Sequence, residues 1–277
     1  MSDTKPEWAP ASINLDQPSS ARVWDYFLGG SHNFAVDRRV AEAAIAFKPD
    51  MPELARQVRM FLHRAVRAAA AAGVDQYLDI GAGVPTMGPV HDIARETHPH
   101  ARVVYVDHDP VAVAHGAAML ADDPDADFIQ ADARSPRAIL EDPRVRALLD
   151  FRRPVAVLLC SVLHFVADAD DPAGVVATLR DAVAPGSFLI LQHATHDDQP
   201  RETIDMLDMW NAKSPEPMHW RTAAEIGVLL DGWTLLEPGV VPMPLWRPLP
   251  EEAERVAHHP ERYASYAAVA VKPGASG

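Results

Sequence analysis

The sequence predicts an α/β fold: a mostly parallel sheet with helices on both faces. Two observations carry that prediction. From Gly73 onward, short apolar runs alternate with helical segments, the pattern of strand–helix–strand crossovers. The first such run ends in the stretch DIGAGVPT, Asp79 to Thr86, where two glycines one residue apart suit a backbone that bends sharply and lets a ligand come close.

The elements follow in order. Residues 1–20 are polar and carry three prolines, a composition that buries little surface and predicts a flexible tail. SSARVWDYFLGG then reads as a short helix, with Ser19 or Ser20 as its cap and Gly29-Gly30 as its stop. DMPELARQVRMFLHRAVRAAAAAG reads as a longer one, with Asp50 and Glu53 as a capping box and Leu54, Val58, Phe61, Leu62, Ala65 and Val66 on one face. Residues 21–72 therefore form an N-terminal helical cap, and 73–277 the sheet domain. The strands are read as QYLDI, RVVYVD, ADFIQAD, VAVLLCSV and SFLILQHA, then WTLLEPGVV and YASYAAVAV, seven in all. Asp171 caps a helix between the fourth and fifth, and Pro185-Gly186 ends it. Further helices are expected around RETIDMLDMW and TAAEIGVLLDG, and the proline-rich VPMPLWRPLPEE is expected as a loop over one end of the sheet.

Composition excludes several classes of function. With 25 basic residues against 39 acidic ones, the net charge is −14, which argues against a surface built to neutralise nucleic-acid phosphates. A single cysteine, Cys160, leaves no intrachain disulfide or thiolate zinc cluster and fits a reducing cytoplasm. No run of about 18 apolar residues predicts a membrane span. The His193–Asp198 run has spacings a metal could use but is read as a metal-free loop.

The nucleotide implied by the glycines is set by what flanks them. The third position of a dinucleotide fingerprint is Thr86 rather than glycine, and Pro85 removes an amide donor, so a pyrophosphate site would be poor. Asp79 would repel a pyrophosphate but could orient a cationic ammonium group. Asp107, at the end of the second strand, can accept both hydrogen bonds of a ribose diol, and Asp132 ends the third.

D-x-G-x-G with an acid ending each of the next two strands resembles the class I S-adenosylmethionine-dependent methyltransferases. The order of ARVWDYFLGGSHNF, YLDIGAGVPT, ARVVYVDHDPVAVAH, FIQADAR, RPVAVLLCSVLHFVAD, DDPAGVVATLRDAVAPGS, QHATHD and EPGVVPMPLWRP is similar to an actinobacterial S-adenosyl methyltransferase family first described as a domain of unknown function. Where that family has Lys-Asp after the double glycine, this chain has Ser31-His32. The resemblance implies a Rossmann-like methyltransferase fold, S-adenosylmethionine as cofactor and a small-molecule methyl acceptor. It implies that Asp79, Gly81, Ala82 and Gly83 border the amino-acid end of the cofactor, with Ser161 beside them. Asp107 and His108 fall at the ribose, and Asp132 with Ala133 at the adenine amino group. Tyr26, Gly30, Asn33 and Phe34 are expected as a lid, since an aromatic ring beside a sulfonium gains cation–π attraction and excludes water. His164 and His193 follow the fourth and fifth strands and are the candidate general bases. A cofactor-binding protein without turnover and an NAD-dependent oxidoreductase are the alternatives that the residues leave open.

Overall fold

The computed structural model describes residues 15–85, 88–212 and 216–274. Most of the expected tail (1–14) and Thr86 lie outside that set. Three helices come first: α1 (Ser20–Phe27), α2 (Ala35–Phe47) and α3 (Met51–Ala71). Just ahead of α1, Leu15 packs on Val111. The sequence pattern does not announce α2, because Asp37 and Ala41 are its only fully buried residues and leave no apolar stripe to read. What holds it is Asp37, which accepts hydrogen bonds from Ser19 N at 3.0 Å, Arg22 Nε at 2.8 Å and Phe34 N at 2.8 Å.

The apolar face of α3 enters the core as its periodicity predicts. Its expected capping box does not form. Asp50 lies in the helical region and caps no amide, pairing instead with Arg262 at 2.6 Å, while Glu53 pairs with Arg255 at 2.8 Å and Arg56 at 2.9 Å. Arginines from the far end of the chain outcompete the local amides for both acids.

Strands and helices then alternate: β1 (Gln76–Ile80), α4 (Val90–Arg95), β2 (Arg102–Asp107), α5 (Pro110–Met119), β3 (Ala126–Gln130), α6 (Pro136–Glu141), α7 (Pro143–Leu148) and β4 (Ala156–Cys160). α8 (Pro172–Ala182) is capped by Asp171, whose carboxylate accepts from Gly174 N at 2.9 Å, and leads to β5 (Phe188–Ala194). α9 (Arg201–Asn211), α10 (Ala223–Leu229), β6 (Thr234–Leu235), β7 (Val241–Pro242), α11 (Pro250–Ala257) and β8 (Ser265–Val271) complete the chain. Among the described residues, no helix is long and apolar enough to cross a membrane.

The sheet has eight strands, not seven, in the order β3-β2-β1-β4-β5-β8-β6, with β7 also paired to β8. The extra strand comes from the single run predicted over WTLLEPGVV. Pro238 has no amide to donate, and Gly239, at φ 87°, donates to Leu236 O at 2.8 Å, so a turn divides the run into β6 and β7. The proline-rich segment after β7 is also more ordered than a plain loop: it holds a 3-10 turn at Met243–Leu245 and the start of α11.

β1 to β5 run parallel, and β8 is antiparallel to β5. The strand order reverses between β1 and β4, which opens a crevice at their carboxyl ends where ligands of such sheets bind. Alternation along the strands divides the core in two. Tyr77, Tyr105, Phe128 and Leu158 face the layer of α3, α4 and α5, and Leu78, Val106, Leu159 and Leu191 face α6, α8 and α10.

Candidate functional site

The crevice begins at the glycine turn. Gly81 has φ 73° and Gly83 φ 63°, the left-handed region that side chains disfavour. Their reasons differ. A Cβ on Gly81 would lie 2.7 Å from Val162 Cβ, so that glycine is required by packing, whereas a Cβ on Gly83 would meet nothing within 4 Å. Gly83 therefore faces open space, and it is the cleaner position at which to probe a ligand.

All three turn amides are committed. Gly81 N and Ala82 N both donate to Val106 O, at 2.8 and 3.1 Å, and Gly83 N donates to Asp107 Oδ2 at 2.8 Å. They are not offered to a pyrophosphate, which dinucleotide sites bind through such amides. Two buried acids flank the turn: Asp79 is 3% exposed and Asp107 4%. By alternation both point to the α3–α5 face, as Tyr77 and Tyr105 do. Asp107 Oδ1 also accepts from Asp109 N at 2.9 Å, so two of its roughly four acceptor sites remain for a ligand.

Burial pushes both carboxyls above the usual carboxylate range, Asp79 to about 7. Arg59 opposes that shift at Asp79 and Asp107 reinforces it. The sign for stability follows from burial disfavouring the charged form. Asp79 in the folded protein holds its proton where the unfolded chain has lost it, so stability falls as pH rises from about 4 through 7. We expect Asp79→Asn to raise Tm by several degrees at pH 8 and to leave it nearly unchanged at pH 5, read by calorimetric melting. The same variant should bind an ammonium-bearing ligand about tenfold or more weakly, having lost a charged hydrogen-bond partner.

Beyond Asp107, His108 Nε2 donates to Glu216 Oε1 at 2.7 Å, and Glu216 Oε2 accepts from Ser20 N at 3.2 Å. Glu216 thus ties the end of β2 to the start of α1, and its hydrogen bond pushes His108 up to about 9, leaving it cationic at neutral pH. Asp132 is half-exposed and paired with Arg134, which holds its carboxyl below the usual range. Ala133 packs beside it at the edge of the second core. Ser161, at φ 60°, donates its hydroxyl to Gln192 Oε1 at 2.5 Å.

The expected lid divides. Asp25 organises residues 30–33, accepting from His32 N at 2.8 Å and Asn33 Nδ2 at 2.9 Å, and a Cβ on Gly30 would collide with it. The His32 ring lies against that of His115 of α5, tilted by 35° with ring centroids 3.6 Å apart, and Phe34 packs on Val111. Both contacts place this stretch over the start of α5, beside Asp107. Tyr26 goes elsewhere: its ring joins the small cluster between α1, α2 and α3, and its hydroxyl donates to Glu42 at 3.3 Å.

The two candidate bases lie on the other side of the sheet, next to α8 and α10. His193 has both ring nitrogens engaged, Nδ1 donating to Ala194 O at 2.7 Å and Nε2 accepting from Arg221 Nη1 at 2.9 Å. Burial lowers it to about 4. His164 is also held neutral by burial, well below its ordinary value, but its Nδ1 is buried without a partner among the described residues. A free imidazole nitrogen therefore exists on His164 and not on His193.

Several residues that build the site gave no local signal. Arg22 is buried between Asp37 and Asp109, at 2.8 and 3.3 Å, and so joins the cap of α5 to α2. Arg221 holds the β4 exit in place. Arg59 is 9% exposed on α3, with its Nε unpartnered. Each sits on a helix or loop where arginine reads as a solvated residue.

Comparisons with known proteins identify the family and the fold. The chain matches the family model described as S-adenosyl methyltransferase over residues 6–273. A candidate methyltransferase of Thermobifida fusca is similar at 37% identity and TM-score 0.89, covering 97% of this chain and 100% of its own. A DUF574 family protein of Streptomyces avermitilis is similar at 36% identity and TM-score 0.87, covering 94% of this chain and 100% of its own. An O-methyltransferase family protein of Burkholderia thailandensis shares the fold at 15% identity and TM-score 0.50, over 86% of this chain and 64% of its own. No curated protein matches.

Proposed function

This chain belongs to the S-adenosyl methyltransferase family and is an S-adenosylmethionine-dependent methyltransferase; on that premise we propose that it methylates a small-molecule acceptor in the cytoplasm, at the carboxyl ends of β1 and β4. The observation that carries the placement is the glycine turn, whose amides are bonded internally while two buried acids flank it. That arrangement suits a nucleoside without phosphate and disfavours NAD.

The residues fit the cofactor. Gly83 leaves open space where a ligand lies close, Asp107 keeps acceptor sites for ribose hydroxyls, and Asp79 faces an ammonium. His108 would border the ribose, Asp132 and Ala133 the adenine, and Ser161 the amino-acid end beside the glycine turn. Gly30, Asn33 and Phe34 cover the nucleoside, with Tyr26 supporting them from behind. When bound, S-adenosylmethionine supplies an electrophilic methyl group on a sulfonium, open to in-line displacement. The protein aligns the acceptor, excludes water and receives a hydrogen bond or proton from it.

Of the two histidines, only His164 keeps an unpartnered ring nitrogen among the described residues, and it is buried, so it reaches an acceptor only where the turn after β4 opens to it; Arg221 and Ala194 fix His193 as a positioning group. A screen of metabolites with labelled methyl donor identifies the acceptor. With it in hand, we expect His164→Gln to keep cofactor affinity within about twofold and to lose turnover about 10²-fold or more, the usual range for a proton-transfer group. Wild-type turnover in that variant removes His164 from the reaction. Calorimetry with S-adenosylmethionine and with NAD tests the reading as a whole, and tight binding of NAD alone defeats it.

A further inference from the structure

We propose that residues 216–221 form a strap across the carboxyl edge of the sheet, latched at one end by Glu216, and that this latch opens for the cofactor to enter or leave. The reading rests on the placement of the cofactor at the glycine turn, and it makes Glu216 a positioning residue for the reaction.

Three attachments follow the strand order β2-β1-β4-β5. Glu216 holds His108, one residue past the end of β2. His219 N donates to His164 O at 2.6 Å, in the turn after β4, and Arg221 N donates to Ala194 O at 3.3 Å, at the end of β5. The end of β1, with its glycine turn, lies between the first attachment and the second. Adjacent strands are about 4.8 Å apart, so β2 and β4 are separated by about 10 Å, while three residues of extended chain span about 11 Å at most. Beyond the reach of the Glu216 side chain, little slack is left for the strap to skirt the glycine turn.

The two ends are held differently. At the far end the Arg221 side chain, 5% exposed, donates to Leu163 O and Val166 O and forms a buried anchor. Met218 is pinned between the ends, its N–H donating to Asn211 Oδ1 at 2.8 Å and its carbonyl accepting from Asn211 Nδ2 at 2.7 Å, so the strap and the end of α9 are one piece. At the near end a single carboxylate takes both His108 Nε2 and Ser20 N, and the His108 side chain is 55% exposed. Water replaces a half-exposed pair at small cost, whereas the buried acceptors of Arg221 have no such substitute. The strap therefore hinges at Arg221 and releases at Glu216. Ser20 N loses its acceptor at the same moment, while Arg22 keeps α1 itself on Asp37 and Asp109, so the strap moves and the helix stays.

Amide hydrogen exchange and stopped-flow release of S-adenosylhomocysteine, both on the full chain, test this. In wild type, saturating S-adenosylhomocysteine should slow exchange at Ser20 and His219 as well as at the glycine turn, residues 81–83. Protection at 81–83 without any at Ser20 and His219 overturns the strap, and absence of protection at 81–83 overturns the cofactor placement itself. Glu216→Ala should release S-adenosylhomocysteine about tenfold faster, the effect of losing hydrogen bonds to a charged group. Glu216→Gln, which keeps an oxygen for His108, should fall between that variant and wild type. In Glu216→Ala, exchange should quicken at Ser20 and His219 and stay as in wild type at Arg221 and across Val23–Phe27, which marks opening at the latch rather than a general loosening. Release at the wild-type rate from folded Glu216→Ala overturns the proposal, and so does exchange quickened throughout the chain. The protection pattern in wild type decides the matter even if neither variant folds.

Discussion

Asp107→Ala is expected to weaken S-adenosylmethionine binding by about ten- to hundredfold, with little loss of thermal stability. The carboxylate does two jobs at once. It accepts from Gly83 N at 2.8 Å and Asp109 N at 2.9 Å, locking the glycine turn to the end of β2, and in the proposed site its remaining lone pairs would take the ribose hydroxyls. Hydrogen bonds to a charged group contribute about 1.5–3 kcal/mol, and the alanine variant loses both the ligand contact and the turn that shapes it. Stability changes little because the variant also relieves the burial that raises this carboxyl. Asp107→Asn keeps the shape and one acceptor, so its loss should be smaller. A folded Asp107→Ala protein within about threefold of wild-type affinity would show that the ribose is held elsewhere.

Arg221→Met is expected to lower stability by about 3–5 kcal/mol, since several buried acceptors lose their donor together. Arg221 donates to Leu163 O at 3.0 Å, Val166 O at 2.8 Å, His193 Nε2 at 2.9 Å and Asp168 Oδ1 at 2.7 Å. It therefore fastens the turn after β4, which carries His164, to the end of β5. At about 2–4 °C per kcal/mol, Tm should fall by roughly ten degrees. A pH signature accompanies the loss. His193 stands near 4 in the folded protein against about 6.5 when unfolded, so wild type loses stability as pH falls from about 6.5 toward 4. Arg221 is one cause of that depression, after burial and partly against the Ala194 hydrogen bond. Removing it should raise the His193 value, read by ring-proton NMR, and flatten part of the acid limb. A drop in Tm below about two degrees would mean that the β4 exit is held by its backbone alone.

Much of the fold around the candidate site was legible because it is written in local order. Apolar alternation marked β1 and β2 to the residue, since burial on two faces needs no information from elsewhere in the chain. The glycines mark a turn by their own φ preference, and an acid at a strand's end is placed by the strand. The periodicity of α3 likewise announced its core face.

What only the tertiary structure decided is the partner of each charge and the face to which each residue belongs. His164 and His193 read as equals at the strand ends, yet Arg221, 28 positions from His193 in the chain, occupies the ring nitrogen of one and leaves the other free. Glu216 reaches Ser20 across 196 positions, and Arg262 takes Asp50 from its helix across 212. Gly81 and Gly83 look alike in sequence, but one is set by Val162 and the other faces open space. The physical reason is range. Backbone propensity and hydrophobic alternation act over a few residues, whereas a buried charge is settled by whichever opposite charge or acceptor packing brings within about 4 Å, at any distance along the chain.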